Sequence, residues 1–315
     1  MDSRNYKLPN CTPFDMDISQ EGKVTIPFSN ECPLEIRFTS FNIHHRITPS
    51  YHDFFEITYI FDGQGAFHIE EKKYGAAEGD IFIIGNTEFH WVESYPHSSL
   101  RTINLYFFPE FVYNFGQDSF NLEYIRPFLD HSTEFRNKLP SHDFNSKDVF
   151  NLIEKIYIEK SSQNDFYQFA VKNYLMEILL LIMRYFRRFA SDIGLYTKRR
   201  SDIKRLEKVL TYLQVHYNEP ISLESAAKIA CMSTCYFCKF FKRITGKTFK
   251  EFILRLRIDK AKELLLKGDL NITKIAYETG FESHSYFDRI FRRFTNLSPH
   301  EYCAALEKTH TICIS

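Results

Sequence analysis

LNITKIAYETGFESHSYFDRIFRRFTNLSPHEY, residues 270–302, decides how the second half of the chain folds. Ile272, Ile275 and Ala276 lie on one helical face, and a Gly280-Phe281 corner follows. Ser283 then stands where an N-cap belongs, its hydroxyl placed to accept an amide of the next turn. Beyond it Tyr286, Phe287, Ile290, Phe291 and Phe294 recur at helical spacing. His284, Ser285, Asp288, Arg289, Arg292 and Arg293 fall largely on the opposite face. A short helix, a tight corner and a second helix with an apolar back and a basic front make a helix-turn-helix. Ser298-Pro299-His300-Glu301 has the form of a capping box, so a further helix begins there.

The stretch repeats an earlier one. At a shift of 50, Ala276 meets Ala226, Ser283 meets Ser233, and Tyr286-Phe287 meets Tyr236-Phe237. Arg289 meets Lys239, Phe291-Arg292-Arg293 meets Phe241-Lys242-Arg243, and Thr248-Phe249-Lys250-Glu251 is the matching capping box. The two motifs lie near 222–244 and 272–294. Between them Phe249 to Leu266 reads as one helix, roughly 27 Å long at about 1.5 Å per residue. That approaches one turn of B-DNA, ~34 Å, the spacing that sets two helices into successive major grooves.

Residues from about Ile203 to Ala304 thereby resemble the tandem helix-turn-helix domain of the AraC/XylS family of bacterial transcription regulators. The resemblance is carried by MSTCYFCKFFKRITG (232–246), RIDKAKELL (257–265), IAYETGFESHSYFDRIFRRF (275–294) and SPHEY (298–302). Asn296 stands where the family usually has Gly, and Asn tolerates a left-handed corner. Cys303 replaces a common Arg. The resemblance implies base contacts from Thr234, Cys235, Cys238 and Lys239 in the first motif. In the second it implies them from His284, Ser285, Asp288 and Arg289. Phosphate contacts are expected from Ser233, Lys242, Arg243, Lys247, Lys250, Ser283, Arg292, Arg293 and His300, with amides at helix N-termini. Thiols bond weakly but can lie against a thymine methyl, so the first motif would read shape and apolar edges more than a strict code.

Composition agrees with two domains. The 315 residues carry 40 Lys/Arg and 40 Asp/Glu. From Thr197 onward there are 22 basic against 13 acidic residues, leaving 18 against 27 before it. A basic back joined to an acidic front suits a DNA-binding half behind a sensing half. The polar opening Met1–Asn10 reads as no leader, and no apolar run is long enough to span a membrane. Seven Cys without a leader fit a reducing cytoplasm.

The front half reads as β. The first 34 residues read as irregular, with Pro9, Pro13, Pro27 and Pro33 breaking any long element. Strands follow at Glu35–His44, Phe54–Phe61, Ala66–Glu70, Asp80–Ile84, Glu88–Glu93 and Leu100–Phe107, with Asp62-Gly63-Gln64-Gly65 as a hairpin signal. Many short strands suggest a small barrel or jelly roll. His52-x3-Glu56-x6-Gly63 and Gly79-Asp80-x9-His90 resemble worn forms of the two cupin motifs, departing at Ser50, Gly85 and Thr87. In AraC-like regulators such a barrel binds a small effector, often a sugar. Two helices come next, Ser146–Lys160 and Phe166–Phe189. The second has more apolar surface than one partner covers, which suits packing on the barrel or a dimer seam.

The expected architecture is therefore α+β and multidomain. A cupin-like β-barrel with two following helices occupies 1–190, a basic linker with Lys198-Arg199-Arg200 fills 191–202, and an all-α tandem helix-turn-helix domain spans 203–304. Arg46, His52, Glu56, His68 and His90 are the effector-pocket candidates. His52, Glu56 and His90 could instead be metal ligands or structural hydrogen bonders; with Ser50 at the fourth ligand position, no metal or cofactor is assigned. Cys231, Cys235 and Cys238 with His216 or His284 resemble a zinc set, but zinc there would block the face that meets DNA. No nucleophile elbow, phosphate loop or H-E-x-x-H occurs, so no catalytic residue is assigned. The expected protein is a cytoplasmic, homodimeric regulator, an activator contacting double-stranded DNA, RNA polymerase and a sugar-like effector. The alternative is a cupin-type metal-dependent enzyme fused to a DNA-binding domain.

Overall fold

A computed structural model describes residues 8–29, 31–42, 48–95, 98–112, 122–129, 137–189 and 193–304. Two compact units divide the chain between Ser201 and Asp202.

The first unit opens with the short strands β1 (Thr12–Pro13), β2 (Asp17–Ile18) and β3 (Val24–Thr25). The main strands are β4 (Leu34–Phe41), β5 (Phe55–Asp62), β6 (Gln64–Ile69), β7 (Lys72–Ala77), β8 (Ile81–Ile84), β9 (His90–Ser94) and β10 (Leu100–Phe107). After the single turn α1 (Pro109–Val112) and a 3-10 turn at Leu122–Phe128 come β11 (Lys138–Leu139), α2 (Ser146–Ser162) and α3 (Tyr167–Phe186).

Strand order in the larger sheet is β1-β4-β10-β5-β8-β11 and in the smaller β7-β6-β9, while β2 and β3 pair as a separate two-stranded ribbon. The ladders of the described residues do not close, so the barrel expected from the sequence is two open sheets packed face to face. Alternation along the strands explains the packing. Phe41, Ile60, Phe82, Ile84 and Leu100 of one sheet meet Phe67, Ile69, Tyr74, Ala76 and Val92 of the other in one core cluster. Phe67 stacks on Phe82 with ring centroids 4.2 Å apart. On the outer face of the larger sheet, Phe38 meets Tyr157, and Tyr59 and Phe61 meet Phe150, so α2 covers that side. Helix α3 packs along α2 and the 3-10 turn.

Two local readings change. Asp62-Gly63-Gln64-Gly65 does not form a hairpin: β5 pairs with β10 and β8, β6 with β7 and β9, and the signal marks a corner between sheets. Gly63 has φ +87°, and a Cβ there would meet the Ser99 carbonyl, so the corner needs glycine. The hairpin lies instead at Glu70-Glu71, joining β6 to β7 with Glu70 in the left-handed region. Strand β7, KKYGAA, is absent from the sequence reading because only Tyr74 and the small Ala76 supply its inward face.

The second unit is all helical. Helix α4 runs Ile193–Val215, starting before the unit boundary at Asp202, so residues 193–202 of the expected linker are helical. The remaining helices are α5 (Leu223–Ile229), α6 (Thr234–Thr245), α7 (Phe249–Lys267), α8 (Ile272–Glu278) and α9 (His284–Thr295), with helical residues again from Pro299. Among the described residues no helix is long and apolar enough to cross a membrane.

Candidate functional site

The helix-turn-helix half is built from caps. Ser233 and Ser283 accept the amides of Tyr236 and Tyr286, so α6 and α9 start where the sequence places them. Thr248 and Glu251 complete a capping box, and Ser298 with Glu301 makes the same bonds. Gly246 and Asn296, both left-handed, close α6 and α9; Asn296 does what glycine does in the first copy. Phe237, Phe240 and Phe241 on α6, and Phe287, Ile290 and Phe291 on α9, are buried.

The repeat carries an insertion that a single shift hides. The caps Ser222 and Asn271 and the helices α5 and α8 are related by 49 positions, whereas α6 and α9 are related by 50. Ala276 therefore corresponds to Ala227, not Ala226, and the corner of the second motif is one residue longer. Gly280, at φ +83°, packs so closely on the Asn218 backbone that a Cβ would lie 2.6 Å from its carbonyl oxygen. Cys231, at φ 52°, makes the left-handed bend in the first copy.

Of the expected base-reading residues, Cys235, Cys238, Lys239, Ser285 and Arg289 are exposed, and Thr234, His284 and Asp288 are half-buried. His284 Nδ1 lies 3.4 Å from an Asp288 carboxylate oxygen, and the Arg289 guanidinium sits 5.2 Å over the Tyr286 ring. Tyr236 is not core as its spacing implies. It is 46% exposed, and its hydroxyl donates to Asp202 at 2.9 Å. Among the expected phosphate residues, Ser233, Arg243, Lys250, Ser283, Arg292, Arg293 and His300 are exposed, and Lys242 and Lys247 half-buried. Arg292 reaches Glu301 at 3.7 Å and Arg293 reaches Glu251 at 3.8 Å, so each arginine is tethered to a capping carboxylate.

Sequence reading missed Arg257. From α7 its guanidinium donates to the carbonyls of Tyr217 (2.7 Å), Gly280 (2.7 Å) and Glu219 (2.9 Å). It thus ties the connecting helix to the end of the segment before α5 and to the corner of the second motif. Arg257 opens the RIDKAKELL motif, but nothing in that motif shows which distant carbonyls its guanidinium reaches.

In the first unit His52, Glu56 and His90 come together. Phe14, Met16, Val24, Phe41, Ser50, Phe67, Trp91, Val92, Asn104 and Tyr106 wall the same cleft. His52 Nε2 lies 3.0 Å and His90 Nε2 3.4 Å from Glu56 Oε2. Glu56 Oε1 accepts from Thr58 (2.5 Å) and Asn104 (3.0 Å), which face it because Thr58 and Asn104 are cross-strand partners. Thr102 extends the network to Asn104 at 2.6 Å. His52 is 1% and Glu56 3% exposed. Burial pushes Glu56 up, but hydrogen bonds from His52 and His90 outweigh it and hold the carboxyl well below its usual range. Burial lowers His52; His90, despite burial, is raised by its bond to Glu56. Burial and the Glu56 charge push Tyr106 far up, keeping a neutral phenol at the wall.

His68 does not join them. It neighbours the inward Phe67 on β6, so alternation turns it outward, where it stacks on Trp91 and pairs with the exposed Glu93 at 3.0 Å. Arg46 lies outside the described residues. Asn104 and Thr58 were missed, although Thr102, Asn104 and Tyr106 at period two are a polar face in an otherwise apolar strand. The ligand atoms of His52, Glu56 and His90 all lie within 4.8 Å of one another. They are the one such metal-capable group among the described residues, so Cys231, Cys235 and Cys238 do not converge as a zinc set.

Comparison with known proteins agrees with both halves. The AraC-like ligand binding domain matches residues 34–179, and the helix-turn-helix domain matches 226–305. The chain belongs to the AraC family of transcriptional regulators. This regulator is 28% identical over 269 residues to the uncharacterized HTH-type transcriptional regulator YdeC of Bacillus subtilis, across 83% of this chain and 87% of that one. It is 26% identical to the HTH-type transcriptional activator RhaS of Escherichia coli, across 80% and 85%. Among solved structures it resembles the DNA-binding domain of AdpA in complex with a target DNA. That match is 28% identical over 33% of this chain and 95% of the other, with TM-score 0.33. The AraC-family chain thus joins an effector-binding domain to a DNA-binding helix-turn-helix domain.

Proposed function

We propose that this regulator activates transcription in the cytoplasm, as a homodimer, when a sugar or related polar metabolite occupies the cleft of its first unit. The observation that carries the effector class is the cleft wall, where aromatic side chains (Phe14, Phe41, Tyr106) stand beside the buried hydrogen-bonding cluster of Glu56, His52, His90 and Asn104. Sugars are recognised by that mixture of stacking and directed hydrogen bonds. Activation through contact with RNA polymerase is favoured because the related RhaS is named an activator. Self-association is supported by Phe166 (75% exposed) and Phe169 (68% exposed) at the start of α3, with Leu180 further along it. Apolar groups this exposed suit a covered surface.

Base readout is assigned to Thr234, Cys235, Cys238, Lys239, His284, Ser285, Asp288 and Arg289, all on α6 and α9. Backbone contacts are assigned to Ser233, Lys242, Arg243, Lys247, Lys250, Ser283, Arg292, Arg293 and His300. The domains are proposed as residues 1–190 for effector and dimer, and 203–304 for DNA. No catalytic activity is assigned. A thermal-shift screen of the full chain against a carbohydrate panel tests the effector reading. A ligand at 100 times its dissociation constant stabilises its unit by about 2.7 kcal/mol. Silence across the panel with a lipid or peptide scoring instead refutes the sugar assignment, and turnover of a small keto or sugar substrate refutes the non-catalytic one.

A further inference from the structure

We propose that His52, Glu56 and His90 bind a divalent first-row transition metal ion in the effector-binding domain. The argument is one of protons and lone pairs. His52 Nδ1 faces the Phe54 carbonyl at 2.8 Å, and His90 Nδ1 faces the Glu88 carbonyl at 3.0 Å. A carbonyl only accepts, so each Nδ1 carries the proton. A neutral imidazole has a single N–H, and each Nε2 is then left with a lone pair. Both lone pairs point at the same oxygen, Glu56 Oε2, at 3.0 and 3.4 Å. Opposed lone pairs of this kind are bridged either by added protons, which make each ring a hydrogen-bond donor to Glu56, or by one cation between them.

Added protons would place up to two imidazolium rings, centred 5.0 Å apart, around one carboxylate in a buried site. One dication satisfies all three atoms at once. Ligand atoms about 2.1 Å from a metal and about 90–110° apart lie roughly 3.0–3.4 Å from each other; the two histidine–carboxylate separations are 3.0 and 3.4 Å, and all three atoms lie within 4.8 Å of one another. The surroundings fit as well. Metal-bound imidazoles usually donate their other N–H to a carbonyl, and ligating carboxylates are themselves hydrogen-bonded. Here Thr58 and Asn104 occupy Oε1 and leave Oε2 for the ion. His52 is further held by stacking on Phe54, ring centroids 4.1 Å apart.

Two imidazoles and one carboxylate suit iron(II), manganese, cobalt, nickel or zinc. Ser50, which weighed against a metal in the sequence, is no obstacle, because three protein ligands leave positions for water or an oxygen of an effector. The inference goes beyond the effector reading and stands apart from it: the ion can bind where every sugar fails, and the reverse.

The test strips the full chain with a chelator and titrates it with Mn2+, following unbound Mn2+ by electron paramagnetic resonance. Mn2+ suits nitrogen and oxygen donors better than thiolates, so Cys231, Cys235 and Cys238 do not compete for it. The expected result is one Mn2+ per chain, with affinity at least about tenfold weaker in Asn104→Ala, which frees the carboxylate to turn. Glu56→Gln, which keeps the shape and removes the charge, and His90→Ala should abolish saturable uptake. Far-UV circular dichroism shows which variants fold, and those that do are compared. The proposal is overturned if the folded wild-type chain shows no saturable uptake up to millimolar Mn2+. It is equally overturned if the folded variants take up one ion as tightly as wild type.

Discussion

Arg257→Met should loosen the second helix-turn-helix motif without touching its DNA-facing surface. The substitution keeps an apolar stem over Phe281, whose ring lies 5.9 Å from the guanidinium carbon, and deletes three charge-assisted hydrogen bonds. A bond of that kind contributes about 1.5–3 kcal/mol net. The one to Glu219 is exposed and counts for little, because water replaces it. The two to Tyr217 and Gly280 are half-buried, so partial replacement by water leaves a loss of about 2–4 kcal/mol in total. Because the Gly280 carbonyl closes the α8–α9 corner, the loss should appear as local opening of that corner. Native-state hydrogen exchange on the full chain reads it directly. At about 1.4 kcal/mol per decade, amides of α8 and α9 should lose roughly 30- to 700-fold in protection. Strands of the effector domain should be unchanged. Arg257→Lys, which reaches one carbonyl at a time, should fall between. Protection in α8 and α9 within a factor of about three of wild type would show that the carbonyls find water at no cost. Equal losses in Met and Lys would assign the effect to packing rather than to the bonds.

Gly280→Ala should weaken the same corner, by about 1–2 kcal/mol for the left-handed backbone and more for the 2.6 Å approach to Asn218. Combined with Arg257→Met the two losses should fall short of additive, read as exchange protection, because they share one carbonyl. Arg289→Ala should cost about 1–3 kcal/mol of DNA affinity and relax preference at a single base pair, checked against a set of single-base operator variants. A uniform loss would move Arg289 to the phosphate contacts. Lys242→Ala and Arg292→Ala should weaken all sites alike and lower the salt slope by about 0.9 each, measured by binding at several salt concentrations. The effect of Arg292 should be the smaller if its ion pair with Glu301 persists on DNA.

What the sequence determined by itself is the DNA-binding half, because its signals are local. Ser233, Ser283, Thr248 and Glu251 act within one helical turn of themselves, and the aromatic stripes of α6 and α9 repeat at 3.6 residues. Even Asn296 at its left-handed corner follows from the residue type alone. The front half was legible as alternating strands for the same reason, and His52, Glu56 and His90 stood out through their resemblance to the cupin motifs. The tertiary structure decided what depends on partners far along the chain. Whether Asp62-Gly63 closes a hairpin or turns between sheets depends on β10, which takes the pairing that β6 would otherwise have. Which histidine faces the cleft depends on strand register: His90 enters and His68, one residue from the inward Phe67, leaves. Register across β5 and β10 likewise sets Asn104 and Thr58 against Glu56, and the reach of Arg257 to three carbonyls exists only after α7 has packed. Residue type and periodicity carry no information about such pairings, since they are fixed by which distant segment wins the competition for a strand edge or an unpaired carbonyl.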